Sequence, residues 1–380
     1  MSPRKSSEKP SETESREGDS AADAAEVDAL DVETVDPTAI APDDVEAHPV
    51  MVDPPSDADD EDADDSDAEA SGTLTDERLL NKKKTEEPPE GFFQRLIYEL
   101  TFHLVHPGDS RAATERKALS ARIATPFDHG ARYVPVLTRK GGVGKTTVTT
   151  LLGMALAEVR DDRVIAIDAN PDRGTLAERV PRSTAATVRD VVKLVAGIKG
   201  FTDFAELVSK DTTRLHVLAS DTDPLLSEAF DEDDYNVVAD EAARFYSVVL
   251  TDCGTGVVHS VMQPTLERAD GLVIVSGGSI DEARLASETL TWLEANGWGE
   301  LVSNCIVALN TATQGTNVVK LEELEDHFLT RVRDVVRIPY DPMLAAGSVI
   351  DWQKLSPLTR QAARELAALV VEGVADRPGA

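Results

Sequence analysis

Thr138-Arg139-Lys140-Gly141-Gly142-Val143-Gly144-Lys145-Thr146-Thr147 decides the fold. It follows an apolar run at 133–137 and opens a helical pattern over 146–159. Glycines at 141, 142 and 144 let consecutive backbone N–H groups curl around an anion, and the helix behind them adds the positive end of its dipole. Lys145 is placed to reach β and γ phosphate oxygens, the Thr146 hydroxyl to ligand Mg2+, and Thr147 to touch the α phosphate. The strand before and the helix after separate this loop from a chance glycine-rich turn.

Outward from the loop, short apolar runs alternate with helical patterns. Strands are expected at 133–137, 164–167, 215–218, 247–251, 272–275, 306–309 and 335–338. Helices are expected between them, including 281–295 and 321–332, and a closing helix at 358–374. The strands are apolar without clean alternation, so both of their faces should be covered. That pattern belongs to a doubly wound, mainly parallel α/β sheet.

Two strand ends carry carboxylates. Val164-Ile165-Ala166-Ile167 runs into Asp168-Ala169-Asn170-Pro171-Asp172-Arg173-Gly174, and Ser247-Val248-Val249-Leu250-Thr251 runs into Asp252-Cys253-Gly254-Thr255-Gly256. An α/β sheet keeps its ligand at the C-terminal edge of its strands, so both acids are expected near the phosphate loop and its Mg2+. Gly254 and Gly256 give the following segment the freedom of a switch loop. Cys253 is expected as a small filler, since nothing nearby would activate a thiolate.

Lys140 goes beyond the general phosphate-loop pattern. With it, Lys-Gly-Gly-Val-Gly-Lys-Thr-Thr resembles the MinD/ParA group of P-loop ATPases, whose loop carries two lysines. The resemblance covers about two thirds of the chain, 133–374. It implies ATP and Mg2+ as ligands and an ATP-sandwiched homodimer in which Lys140 reaches the partner's nucleotide, a cation supplied in trans. It implies that Asp168 and Asp252 stand near the metal with Thr146. The family's Asp-x-Asp-Pro becomes Asp168-Ala169-Asn170-Pro171 here. An amide can hydrogen-bond the attacking water but cannot take its proton, so slow intrinsic hydrolysis is expected, with Asp172 a poorly placed substitute. The resemblance makes Asn310 the base-recognition candidate, beside Pro339 and Tyr340; an Asn after a strand serves equally well as a chain-turning residue, and Tyr340 and Asp341 equally well as structural ones. At finer grain the 168–176 and 252–256 runs, with the long acidic extension, resemble EspI-like ATPases of actinobacterial type VII secretion loci, which implies a role in regulating or assisting secretion. The closing helix does not resemble MinD's membrane-binding tail, and no tyrosine cluster of the bacterial tyrosine-kinase kind occurs at the C-terminus.

Charge divides the chain. Of 380 residues, 38 are Lys or Arg and 70 are Asp or Glu, for a net charge of −32. Residues 1–70 alone hold 24 acids against 4 bases, and no aromatic residue precedes Phe92. Such a segment buries too little apolar surface to offset chain entropy, so 1–88 is expected to be a disordered acidic extension. A linking helical segment follows at 89–132, with Phe93, Leu96, Ile97, Leu100 and Leu104 on one helical face and a polar stretch at 106–120. The ATPase domain occupies 133–374 and a disordered tail 375–380. The negative charge argues against a general nucleic-acid binder. Arg331, Arg333, Arg337, Lys354, Arg360 and Arg364 leave a local basic patch open, and with it a partition or placement ATPase that binds DNA. A third reading is a non-hydrolysing ATP sensor or scaffold. Two cysteines exclude a disulfide framework, and neither a spanning apolar segment nor a secretory signal is present in the sequence, so a cytoplasmic protein is expected.

Overall fold

The structure, a computed structural model, describes residues 110–170, 174–221, 230–254, 260–311 and 320–375. The expected acidic extension, the helix after Phe92 and all but the first residue of the tail lie outside them. The described residues belong to one compact unit.

Helix α1 (Arg111–Ile123) comes first, then β1 (Arg132–Leu137), α2 (Lys145–Val159) and β2 (Val164–Ala169). A single 3-10 turn, Leu176–Glu178, precedes α3 (Val188–Leu194), α4 (Phe201–Ala205), β3 (Ser209–Lys210) and β4 (His216–Leu218). Next come α5 (Glu232–Ala243), β5 (Val248–Cys253), α6 (Met262–Glu267), β6 (Val273–Gly277), α7 (Ile280–Ala295) and α8 (Gly299–Ser303). The chain ends with β7 (Ile306–Asn310), α9 (Leu321–Leu329), β8 (Asp334–Ile338), α10 (Pro342–Ala345) and α11 (Pro357–Ala375).

The strands form one sheet in the order β3-β4-β2-β5-β1-β6-β7-β8, parallel throughout except for the edge pair β3 and β4. All seven expected strands are present. The eighth, β3, is a two-residue antiparallel edge. Chain order reverses around β1, which pairs with β5 on one side and β6 on the other. That is the position where open α/β sheets bind ligands, and the phosphate loop leaves the sheet there.

Strand residues alternate between two covered faces. Val134 and Val136 of β1 join a core built with α2 and α11, while Tyr133 and Leu137 point into clusters on the opposite face. Helix α2 is buried on nearly every side, which its small residues permit. A Cβ at Gly153 would lie 2.8 Å from Leu215, so helix and sheet approach closely there.

The stretch read as polar at 106–120 contains the start of α1. Ser110 caps it, its hydroxyl accepting from the Ala113 amide at 3.2 Å. Ile123 is fully buried, and Arg122 donates to both carboxylate oxygens of Glu372 on α11 at 2.5 and 3.0 Å. Arg160, at the end of α2, then ties the end of α1 to that helix by donating to the carbonyls of Ile123 and Thr125. The expected helix at 321–332 ends earlier, at Leu329.

Candidate nucleotide site

The loop between β1 and α2 turns on two left-handed glycines, Gly142 (φ +84°) and Gly144 (φ +94°). At Gly144 any side chain would have to displace Asn310, because a Cβ would stand 2.2 Å from the Asn310 amide nitrogen. That nitrogen donates to the Val143 carbonyl at 2.7 Å, so Asn310, at the end of β7, holds the loop's main chain in shape. Val143 itself points its side chain into the core.

Lys145 begins α2 and is buried. Its ammonium donates to Asp252 Oδ1 at 2.6 Å, and the Thr146 hydroxyl donates to Asp252 Oδ2 at 2.7 Å. Thr149 adds a bond to Asp252 Oδ1 at 3.2 Å, and the Thr175 hydroxyl donates to that of Thr146 at 3.3 Å. Burial opposes the charge on Lys145, but Asp252 and then Asp168 more than offset it, and its pKa lies above the ordinary value.

Asp168 and Asp252 are register partners on β2 and β5, so two carboxylates stand side by side at the sheet edge. Asp168 accepts from the amides of Leu176 (3.0 Å) and Asn170 (3.2 Å). Gly174 is required beside it, since a Cβ there would lie 2.1 Å from the Asp168 carboxylate. Burial, and then the Asp252 charge, push Asp168 up to about 7. Among the described residues no group of three His, Cys, Asp or Glu side chains stands close enough to hold a metal. A hydroxyl and two carboxylates nevertheless suit Mg2+, a hard cation that takes few protein oxygens and keeps waters and phosphate oxygens. The raised Asp168 value marks a place where positive charge is favourable.

A pH dependence follows from that carboxyl. Its folded pKa lies above the unfolded one, so its contribution to stability is full below about pH 4 and is lost as pH rises through 7. Asp168→Asn lacks this titration. Without nucleotide, its melting temperature relative to wild type should shift in the variant's favour between about pH 5 and 8 and stay level above that. A constant offset across the range would contradict it.

Lys140 sits apart from this buried cluster. Its ammonium lies 3.5 Å from Glu282 Oε1 on α7, and its side chain is 40% exposed. Glu282 also closes the N-terminal capping box of α7 with Ser279. Burial would raise the Glu282 pKa, but the Ser279 hydrogen bonds and Lys140 together hold it below the ordinary value.

A cavity of about 470 Å³ runs outward from the loop. The loop residues Lys140, Gly141, Gly142, Gly144, Lys145, Thr146 and Thr147 line it together with Pro339, Tyr340, Leu344 and Gly347, and Asn170, Thr175, Arg179 and Asn310 are also on the wall. Asp168 and Asp252 lie buried behind Lys145 and Thr146. Asp341 is structural: it accepts from the amides of Met343 (2.9 Å) and Ser356 (2.8 Å). Burial would raise its pKa, but those bonds win and lower it. Cys253 is buried with its thiol pushed up to about 12, chiefly by burial, as befits a filler. Asp172 and Gly256 lie outside the described residues. Thr175, Arg179 and Glu282 were not anticipated as site residues. Only Glu282 had a local signal, the Ser-x-x-Glu spacing from Ser279.

Comparison with known proteins agrees with this geometry. The CobQ/CobB/MinD/ParA nucleotide binding domain profile matches residues 134–338. The ESX-1 secretion-associated protein EspI of Mycobacterium tuberculosis is 37% identical over 241 residues, 63% of this chain and 36% of that protein. The match therefore spans little more than a third of that relative's length. A putative septum site-determining protein MinD of Oltmannsiellopsis viridis is 26% identical over 287 residues, 72% of this chain and 81% of its own. Among solved structures, the Pyrococcus furiosus cell division ATPase MinD superposes with TM-score 0.51 at 21% identity, covering 64% of this chain and 98% of that one. The Pyrococcus horikoshii MinD complexed with Mg-ADP gives TM-score 0.50 at 21% identity, covering 62% and 94%. At that identity the two structures establish a shared fold. With the profile spanning more than half of the chain and the phosphate loop at the sheet's switch point, the chain belongs to the CobQ/CobB/MinD/ParA nucleotide-binding family of P-loop proteins.

Proposed function

We propose that this protein is an ATP-dependent dimerising switch with slow hydrolysis, working from the cytoplasm to regulate or assist type VII secretion. The ATPase domain is 133–374, preceded by the linking segment 89–132 and the acidic extension 1–88. Gly141 to Thr147 wrap the phosphates, with Lys145 on the β and γ groups. Thr146, Asp168 and Asp252 hold Mg2+, which when bound screens the phosphate charge. Asn310, Pro339 and Tyr340 receive the base. Asn170 orients the attacking water without taking its proton, which keeps turnover slow.

The observation that carries the switch is the position of Lys140. Lys145 is committed to its own site, whereas Lys140 stands at the rim, 40% exposed, on one 3.5 Å contact to Glu282. An exposed pair of this kind contributes roughly 0–1 kcal/mol, so exchanging it for a partner's phosphate costs little. The secretion role is supported by the 37% identity to the ESX-1 secretion-associated protein. The DNA-binding alternative loses support at its own candidate residues, five of the six being paired. Arg331, Arg333, Arg337, Lys354 and Arg364 each pair with a carboxylate, Glu294, Glu372, Glu325, Asp351 and Glu158 respectively.

Size-exclusion chromatography with light scattering tests the switch on the full chain. Wild type should be monomeric without nucleotide and dimeric with ATP and Mg2+. Lys140→Ala should bind ATP and stay monomeric. A wild-type mass indifferent to ATP, or a Lys140→Ala dimer as stable as wild type, would overturn the reading.

A further inference from the structure

We propose that Arg179 is a nucleotide-binding residue that closes the base-and-ribose end of the cavity. The proposal rests on reading the cavity as the ATP site.

Arg179 follows the 3-10 turn Leu176–Glu178, whose first residue is fully buried and donates its amide to Asp168. The turn therefore has a fixed position relative to the buried carboxylates. The Arg179 carbonyl accepts from the Ile350 amide at 2.8 Å, which ties the turn to the segment after α10. Its side chain reaches the same region: Nη1 lies 3.6 Å from where a Cβ on Gly347 would stand. Gly347 lies just past α10, the helix that follows Pro339 and Tyr340, so the guanidinium shares the cavity wall with the residues read as base contacts.

The guanidinium lacks the partners that other cations at the site possess. Lys145 has Asp252 and Lys140 has Glu282. Arg179 Nε is buried without a hydrogen-bond partner, and among the described residues no carboxylate pairs with the side chain. The nearby Asp341 carboxylate is already occupied by two backbone amides. The half-buried side chain lines the cavity without a carboxylate partner among the described residues, so its complement is a ligand offering a flat face and acceptor atoms. A purine nucleoside supplies both. The ring stacks against the guanidinium plane, and ring nitrogens or ribose oxygens accept its N–H groups. Lysine offers a point charge and no plane, so it cannot substitute.

This position makes a prediction that a phosphate-contacting arginine would not. A group at the base and ribose touches what ATP and ADP share. In calorimetric titrations of the full chain with Mg2+ present, Arg179→Ala should weaken ATP and ADP by the same factor, about tenfold. Arg179→Lys should recover little of it, and neither variant should lower the melting temperature without nucleotide. Unchanged affinity in Arg179→Ala would overturn the proposal. So would a loss confined to ATP, which would move the contact to the γ phosphate. A lowered melting temperature restored together with affinity by lysine would make the residue structural, which also overturns it. Wild type that binds neither nucleotide would sink the site reading itself, a result distinct from the others.

Discussion

Lys145→Ala should abolish ATP binding and, without nucleotide, lower stability by about 3 kcal/mol. Both effects come from one ammonium. Lys145 is buried and bonded to Asp252 at 2.6 Å, with Asp168 the register neighbour of that carboxylate. Removing the cation leaves two buried acids side by side, and the uncompensated charge is the costly part. Calorimetric titration reads the first effect and urea denaturation at neutral pH the second. Lys145→Ala combined with Asp252→Asn separates them: stability should largely return, while binding should not. Equal denaturation midpoints for wild type and Lys145→Ala would contradict the account of this pair.

Gly144→Ala should cost nucleotide affinity by at least about a hundredfold, from roughly 1–2 kcal/mol of left-handed strain and a steric displacement together. The residue sits at φ +94°, and its new Cβ would fall 2.2 Å from the Asn310 amide nitrogen. Asn310 can move only by breaking its bond to the Val143 carbonyl, the tie that shapes the loop. The overall fold should survive, because the collision is confined to the loop and one side-chain tip. Gly144→Ala with Asn310→Ala removes the collision but keeps the strain, so affinity should recover in part. Binding by Gly144→Ala at wild-type affinity would contradict the role of this approach. Circular dichroism and melting confirm that the variant is folded.

The sheet was legible because its signals are local. Seven of the strands centre on apolar residues, and the loop carries its own strand and helix. The misses have physical reasons. Strand β3 is two residues on an antiparallel edge, too short for any periodic signal. Helix α1 buries little, chiefly Ala113 and Ile123, and its anchor Arg122–Glu372 joins residues 250 apart in the chain. The site divides in the same way. Lys145 and Thr146 announce themselves in the glycine loop and Asp168 and Asp252 by strand-end position, and the structure brings them together. For Asn310 the sequence allows base contact and chain turning alike; its amide braces the loop while the residue also lines the cavity. Arg179 and Thr175 enter only because the chain after β2 folds back across the loop, which no local pattern encodes.

Everything proposed depends on the cavity accepting a nucleoside triphosphate. Isothermal titration of ATP with Mg2+ into the purified full chain, beside Lys145→Ala, is the most direct check. Saturable heat with a stoichiometry of one per chain in the wild type, absent in the variant, is the predicted result. No heat from the wild type, or the same isotherm from both proteins, would contradict it.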